Sequence, residues 1–84
     1  MLYSEVMYYV YKPNYPSSFL YKIINGNVYQ IREDTLINRT DLYEKLMKVD
    51  IFEYFNLIPK DIKYRQVVQK EILNVIYREI LDAN

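Results

Sequence analysis

The sequence predicts an α+β fold: a small N-terminal antiparallel sheet of about three strands packed against two or three C-terminal helices. Three observations predict it. Before residue 34, aromatic and β-branched residues alternate with polar ones between turn signals, as strands do. After Asp34 the apolar spacing turns helical, at about 100° per residue. The only glycine, Gly26, lies in the strand part, so no glycine weakens a later helix. At 84 residues the chain reads as a single domain over 1–84, with a strand and hairpin part at 1–33 and a helical part at 34–84.

Residues 2–11, LYSEVMYYVY, are the first predicted strand. Leu2, Val6, Tyr8 and Val10 share one face, and Tyr3, Met7, Tyr9 and Tyr11 the other. Both faces are apolar enough for a central or well-covered strand. KPNYPSS follows, and Pro13 and Pro16 make it a loop. Two further strands flank Asn25-Gly26-Asn27. A two-residue Asn-Gly turn is the strongest local hairpin signal and sets Ile23 opposite Val28. A three-residue loop sets Ile23 opposite Tyr29 and Tyr21 opposite Ile31, and it sorts apolar from polar side chains better. On that ground the three-residue register is preferred, with Asn27 taking the left-handed conformation.

Asp41 with Glu44, and Asp50 with Glu53, both have capping-box spacing. They predict two short helices, or one kinked helix, between Asp41 and Leu57. Leu42, Leu46 and Val49 supply the first inward stripe. Pro59 suits the first turn of a last helix running from about Lys60 to Leu81. On it Tyr64, Val68, Ile72, Val75, Ile76 and Ile80 form one broad face, with Val67 and Leu81 off the stripe.

The composition argues against most catalysis. The chain has no histidine and no cysteine, which removes the usual general base and the zinc ligands. Ser4, Ser17 and Ser18 lie in no nucleophile-elbow pattern. Asp61-Ile62-Lys63 resembles the carboxylate–x–lysine element of metal-dependent nucleases, but at a helix start it reads as a cap. No metal or cofactor site is expected. The absence of a basic, apolar leader and of any run of about 18 apolar residues predicts a cytoplasmic chain with no membrane partner. The Asn38-Arg39-Thr40 sequon is accordingly read as incidental.

Binding remains. Eleven basic and eleven acidic residues cancel, so no strong field advertises nucleic acid. Eleven tyrosines in so short a chain, with 51% hydrophobic residues, exceed what a core this small needs. The first reading is therefore a non-catalytic inhibitor or regulator that binds a host protein and forms a homodimer. Its contacts are assigned to Tyr9, Tyr11, Tyr15, Val67 and Leu81. The abundance of Ile, Asn, Lys and Tyr, residues with AT-rich codons, suits a virus or mobile element and hence an anti-defence role. The alternative is a nucleic-acid-binding transcriptional regulator using Lys60, Lys63, Arg65 and Lys70.

Overall fold

The computed structural model describes residues 7–58 and 60–82. The strand positions expected at residues 2–6, and Pro59 at the start of the last helix, lie outside the described residues. The described elements are β1 (Tyr8–Tyr11), β2 (Leu20–Ile24), β3 (Asn27–Arg32), β4 (Thr35–Asn38), β5 (Leu46–Val49), α1 (Ile51–Leu57) and α2 (Ile62–Asp82). The class is α+β as expected, but the antiparallel sheet has five strands, ordered β4-β3-β2-β1-β5. The β1–β2 loop contains a 3₁₀ turn, Lys12–Asn14, and a cis Tyr15–Pro16 bond.

The hairpin register differs from the preferred one. Ile24 pairs with Asn27 and Ile23 with Val28, so the loop has two residues. Asn25 and Gly26 have φ of 50° and 82°, the signature of a type I′ turn whose twist matches the strands it joins. Preference for the three-residue loop assumed that only one sheet face is covered. Both are. Tyr8, Val10, Leu20 and Ile31 are buried on the front, under the helices. On the back, Tyr21, Val28 and Gln30 are buried as well. The local rule therefore prevails, because neither side of β2 or β3 must be polar.

What covers the back is the segment expected to be a helix. A second two-residue turn, Glu33-Asp34, returns the chain as β4, with Arg32 opposite Thr35. From this edge the chain must reach β5 at the opposite edge, four strand spacings or about 19 Å away. It crosses as a 3₁₀ turn, Thr40–Lys45, in contact with β3. Two bonds pin the crossing: Arg39 N–H donates to Val28 O at 2.8 Å, and Val28 N–H to Thr40 Oγ1 at 3.0 Å. Asp41 caps nothing here. Its carboxylate takes two bonds from Arg39, at 3.1 and 3.0 Å. Leu46 and Val49, expected on a helix, lie on β5 and pair with Tyr11 and Tyr8.

The second start signal holds. Asp50 Oδ1 accepts from the N–H groups of Phe52 and Glu53 and caps α1. Asp61 Oδ1 likewise accepts from Tyr64 N–H at the head of α2. Across the front face, α1 contributes Ile51 and Tyr54, and α2 contributes Val68 and Val75, to a core completed by Ile58. Ile72 packs partly against it, but Ile76, placed in the core by its spacing, is 38% exposed.

One hydrogen-bonded relay joins the layers. Leu20 N–H donates to the Tyr64 hydroxyl at 2.7 Å. The Tyr64 and Tyr54 hydroxyls are 2.8 Å apart, and Tyr54 donates to Ser18 O at 2.6 Å. The only proton arrangement that serves every bond has Tyr64 donating to Tyr54. The Ser18 hydroxyl in turn accepts from Tyr11 N–H and donates to Phe19 O.

Two variants test this account. Tyr54→Phe leaves Ser18 O unpartnered in the interior and is expected to lower unfolding free energy by about 1–3 kcal/mol in urea titrations. Gly26→Ala adds a Cβ that meets no atom within 4 Å. Its cost of about 1–2 kcal/mol therefore reports the left-handed backbone alone.

Candidate functional site

Two polar clusters inside the fold are already satisfied by their own members. The first is the tyrosine relay. In the second, Tyr8 donates to Glu71 Oε2 at 2.8 Å, and Lys22 Nζ sits 2.9 Å from the same oxygen and over the Tyr8 ring. A pocket of about 260 Å³ opens beside this cluster, with Asn74 and Arg78 on its α2 side. Among the described residues no three of His, Cys, Asp or Glu come together as a metal site would require. Ser18, a conceivable nucleophile by residue type, has its hydroxyl engaged with backbone on both sides.

The expected contact residues do not form one surface. Tyr9 and Tyr11 are half-buried on the back of β1, where Tyr9 faces Tyr21 and its hydroxyl lies 3.8 Å from Met7 Sδ. Tyr15 and Val67 pack against the core, which leaves less of each to offer. Leu81 is 54% exposed near the far end of α2. The basic set is divided too. Arg65 turns onto α1, donating to Phe55 O at 3.0 Å and stacking 4.1 Å from the Phe55 ring centre. Lys70 approaches Asp34 at 3.6 Å, and Lys60 and Lys63 are exposed.

The feature that stands out is a second apolar face on α2. At 21 residues the helix is about 30 Å long, against about 20 Å for the longest described strand. Among the described residues Val75 is its last buried one. From Leu73 onward, large apolar side chains appear on the side opposite Val75: Leu73 (57% exposed), Ile76, Tyr77 (63%), Ile80 and Leu81. Meanwhile Glu79, which is exposed, takes the azimuth that Val68, Ile72 and Val75 hold earlier. The apolar side of the helix thus shifts over its last turns. The spacing Leu73-x₃-Tyr77-x₃-Leu81 was available in the sequence. It was hidden because Ile76 and Ile80 also fit, by period alone, on the core stripe.

Burial pushes the Tyr64 hydroxyl up to about 12. It pushes Tyr54 and Tyr8 further above their ordinary range, helped by the Tyr64 hydroxyl beside the first and by Glu71 beside the second. All three stay neutral in the folded chain at a pH where the unfolded chain, with a tyrosine pKa of about 10, ionises. Their contribution to stability is complete below pH about 10 and is lost as pH rises through about 12 and beyond. Unfolding free energies from urea titrations are therefore expected to stay level to about pH 9, then fall, by about 1.4 kcal/mol per pH unit per tyrosine once the pH exceeds about 10. Tyrosinate absorbance should show that these three ionise together with unfolding.

Comparison with protein-family models, with curated proteins and with solved structures finds no match to this chain.

Proposed function

We propose that this chain is a non-catalytic protein-interaction module, an inhibitor or regulator that works by covering part of another protein's surface. The observation that carries the reading is the outer apolar face of α2, with Leu73, Ile76, Tyr77 and Leu81 exposed over its last turns. Large aromatic and aliphatic groups aligned on one exposed helix face are the usual means by which a helix enters a partner's groove, read as anchors one helical turn apart. A patch of this kind on so small a domain is a mark of an interaction surface. The composition, rich in residues with AT-rich codons, supports a viral or mobile-element origin with a host protein as partner and an anti-defence role. The setting in this reading is the host cytoplasm. No described helix is long and apolar enough to cross a membrane.

A second reading, a transcriptional regulator that binds nucleic acid, draws on the exposed cations Lys60, Lys63 and Lys70. It is weakened by Arg65, which is held on α1, and by Lys70 beside Asp34.

Affinity capture followed by mass spectrometry, run with the native chain and with Tyr77→Asp, separates these. A protein retained by the native chain and lost with Tyr77→Asp supports the first reading. Nucleic acid in the eluate, released steeply by salt and lost in Lys63→Glu/Lys70→Glu, supports the second. If the native chain retains no protein, the first reading is wrong.

A further inference from the structure

We propose that the edge of β4, which no other described strand covers, pairs with β4 of a second copy of this chain, antiparallel and centred on Ile37, to make one sheet continuous across two copies. This goes beyond the partner reading and rests on a different surface.

The hydrogen-bond parity of β4 sets out the site. Arg39 N–H donates to Val28 O, so Arg39 directs its backbone groups toward β3. In an antiparallel ladder such pairs alternate with pairs whose backbone groups point away. Ile37, opposite Gln30, and Thr35, opposite Arg32, therefore also face β3. Leu36 and Asn38 point their N–H and C=O groups outward. All four residues of β4 are exposed, with Leu36 at 52% and Ile37 at 38%. The strand carries none of the devices that protect an edge. It has no proline and no charge, and its four pairs run without a bulge. The opposite edge, β5, carries Lys48.

A two-fold axis at Ile37 uses this edge fully. Leu36 of each copy meets Asn38 of the other, and each meeting exchanges two backbone hydrogen bonds. The two Ile37 side chains come together on the back face as a closely spaced cross-strand pair. The charges agree with the same register. β4 is preceded by Glu33 and Asp34 and followed by Arg39. Antiparallel pairing sets the acidic turn of each copy beside the other's Arg39. That guanidinium binds Asp41 through Nε and Nη2, which leaves further donors for the incoming carboxylate. Parallel pairing would set like charges together.

The test is sedimentation equilibrium from about 1 µM to about 1 mM, a range that spans weak and moderate affinity, with residue-resolved hydrogen exchange on the same samples. The mass should double with concentration. Exchange at the Leu36 and Asn38 amides should slow with it, while the Ile37 amide, already bonded to β3, is unaffected. Leu36→Pro removes one outward N–H and spares the β3 ladder, and Ile37→Lys places two cations at the axis. Each should remain monomeric with an unchanged circular dichroism spectrum. Tyr77→Asp should still dimerise. The proposal is overturned by a chain that stays monomeric at about 1 mM. It is equally overturned by a dimer that survives Ile37→Lys, or by one in which the Leu36 and Asn38 amides exchange freely. Protein capture by the Ile37→Lys variant would persist in any of these cases if the α2 reading holds, so the two stand or fall separately.

Discussion

The relay from Leu20 N–H through the Tyr64 and Tyr54 hydroxyls to Ser18 O is the interaction on which the rest of the structure depends. The β2–β3 ladder ends at the Tyr21–Gln30 pair, which leaves the Leu20 amide without a strand partner on that side. Leu20 is fully buried, so an unmade bond there would be costly. Tyr64 supplies it from α2. Tyr54, equally buried, supplies the next bond from α1 and delivers the last proton to the β1–β2 loop. Ser18 is held in place by Tyr11 of β1. Five parts of the chain therefore meet at one line of hydrogen bonds, and the two helices cannot shift on the sheet without breaking it.

That arrangement changes the meaning of the tyrosine excess. Tyr8, Tyr21 and Tyr54 are buried and Tyr64 nearly so, in company with Leu20, Val10 and Val28. In a chain this short, aliphatic area is limited. A tyrosine adds a large ring to the core and a hydroxyl that can cross-link backbone from another layer. The surplus that suggests a sticky surface is in large part the means by which a small domain is held together. What remains for binding is aliphatic as much as aromatic, and it lies on α2 and on the edge of β4.

Legibility followed the range of the interactions. The Asp50 cap, the Asp61 cap and the long last helix were readable because each is decided within a few residues. So were β1 to β3, whose hairpin joins neighbours in sequence. β4 was missed although Glu33-Asp34 sits, like Asn25-Gly26, between two short β-prone runs, because neither turn residue is glycine. β5 was misread for a different reason. Leu42, Leu46 and Val49 fit a helical stripe, and nothing local opposes it. The pairing of Val49 with Tyr8 joins residues about forty positions apart, and it wins because β1 would otherwise be left as an open edge. The α2 face was half legible: its residues were visible, but which stripe faces the body was not.

By itself, then, the sequence determined the class, the order of strands before helices, a turn around Gly26 though not its register, the cap at Asp50 and the absence of histidine and cysteine chemistry. These depend on backbone preference, on periodicity and on residue type, all of which are local. Only the tertiary structure decided that the sheet has two covered faces, that β4 and β5 are its edges among the described residues, that Thr40–Lys45 crosses its back, and that α2 is exposed after Val75 among the described residues. Those outcomes turn on relations between elements, such as the width of five strands against the reach of a seven-residue crossing. No single stretch of the chain records them, and they are what leave Leu73, Tyr77 and the edge of β4 on the surface.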